Sequence, residues 1–157
     1  MSKREEVLDM AVHSLAPLMR KHQNAKAEDL FDEALKIGKK LFAKVEDAAN
    51  IAGAPPRDEL MDMGVHALSA LLSGRQPDSV EGVLDECIDV AQALIRKVDS
   101  TLGAGADEDQ REELMDMTVH VQTAVLSSRP KMDADALADQ CVNLAKNMIA
   151  LVDEEAV

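Results

Sequence analysis

The sequence predicts an all-α protein in which six helices form three tandem antiparallel hairpins, stacked as a compact α-repeat array or bundle. Three observations predict this. A decapeptide is written three times, as REEVLDMAVH from Arg4 to His13, RDELMDMGVH from Arg57 to His66 and REELMDMTVH from Arg111 to His120, with starts 53 and 54 residues apart. Self-similarity at such a period is the signature of stacked helical or strand units. Apolar residues inside each unit recur at the helical spacing rather than in alternation. Finally, 46% of the residues are hydrophobic but Phe31 and Phe42 are the only aromatics. A core of Leu, Val, Ile, Met and Ala suits close helix–helix packing better than a sheet.

The repeat extends past the decapeptide. Leu30-Phe31-Asp32-Glu33-Ala34 returns as Val83-Leu84-Asp85-Glu86-Cys87 and as Leu137-Ala138-Asp139-Gln140-Cys141, and Val45, Val98 and Val152 close the units at matching offsets. The chain of 157 residues therefore reads as one domain of three repeats, about 4–50, 57–103 and 111–155. The period exceeds the ~34 residues of a TPR unit and the ~40–47 of HEAT and armadillo units.

Taken in order, Ser2 with Glu5 fits a capping box that opens the first helix. Val7, Leu8, Ala11, Val12, Leu15, Leu18 and Met19 are expected to form its apolar arc, with Glu6, Asp9 and His13 on the opposite side. Pro17 inside it should kink the helix or end its regular part early. After a polar turn from Lys21 to Lys26, a second helix is expected over about Glu28–Asp47. Its apolar face is Leu30, Phe31, Ala34, Leu35, Ile37, Leu41, Phe42 and Val45, with Lys36, Lys39, Lys40 and Lys44 on or beside the other face. Gly53 is placed to terminate that helix and Pro55-Pro56 to start the next. The second hairpin spans about Arg57–Ser73 and Ser79–Ser100, joined through Gly74-Arg75-Gln76-Pro77, with Asp78 and Glu81 as a cap. Gly103 and Gly105 break the chain again, Asp107-x-x-Gln110 caps the fifth helix, and helices near Glu108–Leu126 and Asp133–Asp153 complete the third hairpin. Each amphipathic stripe needs a neighbour to bury it, and stacking the hairpins supplies one.

The formal charge of −13 argues against nucleic acid, since phosphates would be repelled. The charge is graded: residues 1–50 carry nine basic and nine acidic side chains, residues 51–104 four and nine, and residues 105–157 four and twelve. Cys87 and Cys141 lie on apolar stripes where the first repeat has Ala34, and so read as small core residues rather than a disulfide or a metal-binding pair. No apolar run approaches the ~20 residues of a membrane span, and MSKREE contains no apolar signal segment. These features lead us to expect a soluble, cytoplasmic protein with no membrane contact.

The repeated polar set is the first candidate site. Glu6-Asp9-His13, Glu59-Asp62-His66 and Glu113-Asp116-His120 keep the spacing i, i+3, i+7 while their neighbours vary, which places each trio on one helical stripe. The expected role is a structural joint between hairpins or a contact for a partner. A sharper reading is a cation held by carboxylate and imidazole at i, i+4, which would draw on Asp62 and His66 with Glu59. Met10, Met63 and Met117 repeat beside this set and are expected to fill the core.

A second candidate lies in the middle hairpin, where Asp58-Glu59-x-x-Asp62 is followed by Glu86-x-x-Asp89. This resembles the EExxE and ExxD pair of the all-α nucleotide pyrophosphohydrolases. The resemblance implies Mg²⁺ held by Glu59, Asp62, Glu86 and Asp89 against a triphosphate. It covers one hairpin and departs from the family pattern in the first helix, and the flanking repeats break it with Lys36 and with Gln140 and Asn143. No phosphate-cradling glycine loop or nucleophile triad accompanies it. The reading that the whole sequence favours is a helical-repeat interaction or scaffold module. It would need no cofactor, carry out no catalysis, and engage a protein partner or another copy of itself.

Overall fold

The computed structural model describes residues 2–74, 80–128 and 132–155, with side chains described throughout except at Gly74 and Val80. Six helices occur in these residues: α1 (Lys3–Lys21), α2 (Ala27–Ala49), α3 (Arg57–Gly74), α4 (Val80–Leu102), α5 (Glu108–Ser128) and α6 (Ala134–Glu154). No strand is found among them, and none of the helices is long and apolar enough to cross a membrane.

The local signals position the helix ends. Ser2 and Glu5 form the expected capping box, the Glu5 N–H donating to Ser2 Oγ at 3.2 Å and the Ser2 N–H to Glu5 Oε2 at 3.3 Å. Asp107 and Gln110 repeat it at α5, and Asp133 accepts the Ala136 N–H at the start of α6. Gly53 and Gly103 follow α2 and α4 with φ of 80° and 74°, the left-handed conformation that a side chain would oppose. Gly105 does not take that conformation. The expected Asp78 cap, and residues 75–79 generally, lie outside the described residues.

Pro17 does not end α1, which continues to Lys21. The ring removes one backbone donor, but Pro17 and Leu18 are both buried, and the His22 N–H still closes the last turn on the Leu18 carbonyl at 3.0 Å.

Within each hairpin the two helices pack on each other, and odd and even helices then form two rows. In one row α1 packs on α3 and α3 on α5; in the other α2 packs on α4 and α4 on α6. Among the described residues neither helix of the first hairpin packs against either helix of the third. The stack is therefore linear and open, with two free ends. One continuous core of Leu, Val, Ile, Met and Ala runs through it and includes Met10, Met63, Cys87 and Cys141, as their positions in the sequence predict, whereas Met117, expected there too, is only partly buried against it.

The first hairpin crosses closely at Gly38. A Cβ built on Gly38 would lie 2.9 Å from the Ala11 nitrogen and 2.9 Å from the Val7 carbonyl oxygen, both backbone atoms of α1. The same register carries Ala91 and Ala145 in the later hairpins.

The buried face of the first hairpin differs from the expected arc. In α1 it is Glu6, Val7, Met10, Ala11, Ser14, Pro17 and Leu18, while Leu8, Val12 and Met19 are exposed. In α2, Phe31 and Leu35 are exposed as well. Rotating the arc does not account for all of this, because Val65 and Leu72, the counterparts of Val12 and Met19, are buried. The second hairpin packs against a hairpin before it, whereas the first does not.

Candidate functional site

The joints between hairpins gather most of the charged chemistry. Arg57, the first residue of the second decapeptide, sits in a socket of two carboxylates from the first hairpin. Its Nη2 donates to Glu6 Oε2 at 2.6 Å and its Nε donates to Glu46. Arg111 repeats the arrangement one unit on. Its Nη1 and Nη2 donate to the two Glu59 oxygens at 2.5 and 2.7 Å, and its Nε donates to Asp99 Oδ1 at 2.7 Å. A planar guanidinium matches this fork better than an ammonium could. Hydrogen bonds to Glu6 and Glu59, first among the causes, raise both arginines above their ordinary pKa despite partial desolvation. Phe42 completes the first socket, with the Lys3 ammonium 5.3 Å and the Arg57 guanidinium 5.4 Å from its ring centre, within cation–π range.

The second row has its own repeated pair. Lys44 reaches Asp85 at 2.7 Å and Glu81 at 3.3 Å, Lys40 reaches Glu81 at 3.1 Å, and Lys97 reaches Asp139 at 2.9 Å. Lys44 is held above the ordinary lysine pKa, first by its hydrogen bond to Asp85, and Glu81 below the ordinary carboxylate value, first by Lys40 and then by Lys44.

The predicted Glu-Asp-His trios are divided by these joints. Glu6 and Glu59 turn to the next hairpin's arginine, so Glu6 is buried, contrary to its expected place on the solvent side of α1. Each histidine instead bonds its own helix: His13, His66 and His120 place Nδ1 2.7, 2.8 and 2.9 Å from the carbonyl oxygens of Asp9, Asp62 and Asp116. That contact puts the proton on Nδ1 as donor. The Asp9 and Asp62 carboxylates stand 3.5 and 3.6 Å from the same nitrogens. The His13 and His66 rings meet across the first joint, with centroids 5.7 Å apart and planes tilted by 59°. His120, at the far end, is 72% exposed.

The acids of the middle hairpin are likewise not assembled as a cluster. Glu59 is engaged by Arg111, Asp62 stands beside His66, and Asp89 lines a different groove with Asp135 and Asp139. Among the described residues no group of three or more His, Cys, Asp or Glu side chains could hold a metal ion. This covers Glu59, Asp62, His66, Glu86 and Asp89. Cys87 and Cys141 are buried thiols, and burial pushes the Cys141 pKa up to about 11.

The residues that sequence reasoning passed over are the arginines. Arg4, Arg57 and Arg111 open all three decapeptides, and that repetition was the available signal. Pattern alone does not tell that an arginine of one unit serves a glutamate of the unit before it.

This rule leaves one member of each kind over. Among the described residues Arg4 and Glu113 form no ion pair, nor does Asp153, the counterpart of Glu46 and Asp99. Glu113 and Asp153 line one groove of ≈ 490 Å³ with Leu114 and Ile149 between α5 and α6. Arg4 edges an apolar groove of ≈ 610 Å³ at the opposite end, walled by Val7, Leu8, Leu35, Phe42 and Ala43 and rimmed also by Lys3 and Lys39.

Exposure follows the same logic. Val12 is 57% exposed, whereas Val65 and Val119 in the same register are 2% and 4%. At the other end Met148 is 49% exposed, whereas Leu41 and Leu94 are fully buried. Val152 and Leu144 repeat the contrast against Val45 and Val98 and against Ile37 and Val90. Each end of the stack thus shows the apolar face that an adjoining hairpin covers inside it. Comparison with known proteins finds no matching family model, no significantly similar curated protein and no significantly similar solved structure.

Proposed function

We propose that the protein is a helical-repeat interaction module, a scaffold that works by docking protein surfaces onto its ends rather than by catalysis. The observation that carries this reading is the pair of uncovered apolar faces, Val12, Met19, Phe31 and Leu35 at one end and Leu144, Met148 and Val152 at the other. Contiguous exposed apolar surface of this kind marks interaction sites. End hairpins of a repeat stack ordinarily carry a polar outer face that keeps the stack soluble. The partner is a protein and not a nucleic acid, in keeping with the charge of −13. A cytoplasmic setting suits the two buried thiols.

The test is cross-linking capture from cells with two baits, the native chain and the double variant Val12→Glu/Met148→Glu, which places a charge on each apolar face. Partners should be captured by the native bait and lost with the variant. Equal capture by both would mean that these faces are not the docking surfaces.

A further inference from the structure

The two ends of the stack are complementary to one another. We propose that the chain associates with a second copy of itself head to tail. The third hairpin of one copy receives the first hairpin of the next, as each hairpin receives its successor within the chain. This inference rests on the reading of the protein as an interaction module and names the partner.

Three features commit the exposed ends to each other. The first is continuity with the internal joints. Val12, Met19, Phe31 and Leu35 are exposed at the head although their counterparts in the second and third hairpins, which have a unit before them, are buried. Leu144, Met148 and Val152 are exposed at the tail although their counterparts in the first and second hairpins, which have a unit after them, are buried. A copy of the chain carries both halves of an interface that already exists twice.

The second feature is the unfilled socket. Glu6 with Glu46 holds Arg57, and Glu59 with Asp99 holds Arg111. Among the described residues, Glu113 and Asp153 line the third such groove with no guanidinium paired to them, while Arg4 stands at the head with no carboxylate partner. The third is the graded charge. Residues 105–157 carry an excess of eight acidic side chains and residues 1–50 none, so head-to-tail contact is favoured over tail-to-tail.

One departure is informative. Leu151 stands where Lys44 and Lys97 make the internal ion pairs, and it is exposed, as is Phe31 on the opposing face. The head counterpart of Asp85 and Asp139 is Asp32, so the joint between copies lacks that ion pair.

Such a contact is heterologous: each copy uses two different surfaces, and association continues beyond two copies, as a filament or a closed ring. It is tested on the purified full chain by sedimentation velocity from micromolar to millimolar concentration. The native chain should grow past a dimer as concentration rises. Val12→Glu blocks only the head and Met148→Glu only the tail, so each variant alone should sediment as a monomer. An equimolar mixture should give a one-to-one dimer that grows no further, because one good head meets one good tail.

Both positions are exposed, and unchanged melting curves will show that the variants fold. Should either variant lose its transition, Arg4→Glu and Glu113→Arg take their place: each alone should abolish growth, and the two together on one chain should restore it. A native chain that stays monomeric, a dimer that stops at two copies, or a mixture that stays monomeric overturns the proposal. Monomeric purified chain together with face-dependent capture of a different protein would remove this inference and leave the interaction module standing.

Discussion

Arg57 and Arg111 occupy equivalent sockets, but the two differ in exposure. The Arg111 side chain is 21% exposed and holds the two Glu59 oxygens at 2.5 and 2.7 Å, whereas Arg57 is 37% exposed and holds those of Glu6 at 2.6 and 3.4 Å. Arg111→Ala should therefore cost more stability than Arg57→Ala, about 1–3 kcal/mol. This is less than the ~3–5 kcal/mol for breaking a fully buried pair, because water still screens the socket. Urea denaturation of both variants, read as a change in midpoint, checks the order, and Arg4→Ala in dilute protein should leave the midpoint unmoved. The thiols give a second test at this scale. Cys141 is buried with its pKa pushed up to about 11, so little thiolate exists at pH 8. Cys87 and Cys141 should react slowly with a disulfide reagent in the native protein and fully in denaturant.

Between α1 and α2 the decisive position is Gly38. A methyl group there meets two backbone atoms of α1, and backbone cannot rotate away as a side chain does. Gly38→Ala should destabilise by about 1–3 kcal/mol through overpacking, even though alanine is the better helix former by ~1 kcal/mol. The same change is native in the other hairpins as Ala91 and Ala145. Thermal melting of the variant decides whether the close crossing or the propensity wins.

Between α3 and α5 the interface holds Gln122, fully buried. Its amide donates to the Met63 carbonyl at 3.1 Å while its own carbonyl oxygen has no hydrogen-bond partner among the described residues. The register carries Leu15 and Leu68 in the earlier hairpins. Gln122→Leu removes an unsatisfied buried acceptor, and the variant should melt at the same temperature as the native protein or higher.

Over the whole molecule, the joints make stability depend on pH in a definite sense. Glu81 is held below its ordinary pKa by Lys40 and Lys44. Its contribution is present above the unfolded value of 4.5 and is lost as pH falls through the lower folded value. Lys44 is raised, so its contribution is complete below 10.5 and is lost as pH rises through the raised value. Melting temperature should hold a plateau through neutral pH and fall at both limits. Lys44→Ala should shrink the acid-side fall, since Glu81 then gains less from ionising. The pairs in the second row are largely exposed, so added salt should lower the plateau slightly rather than collapse it.

The sequence by itself determined the helices, their number, their pairing into three hairpins and most of their ends. Those features depend on interactions between residues a few positions apart: the Ser2–Glu5 box, the glycines at 53 and 103, and the helical recurrence of apolar residues. The same local reasoning placed Met10, Met63, Cys87 and Cys141 in the core. It did not tell that Val12 and Phe31 are exposed while Val65 and Leu84 are buried. A helix's apolar arc records what it can bury, and only the presence of a neighbour decides whether it does. Glu6 was misplaced for the same reason, since its partner Arg57 lies 51 residues away on another helix. The tertiary structure alone decided which repeated side chains meet. It joined each decapeptide's arginine to the glutamate of the unit before it, divided the Glu-Asp-His trios, and left Arg4 and Glu113 at opposite ends of an open stack. Repetition specifies equivalent positions, but a linear stack makes its two ends inequivalent to everything inside it.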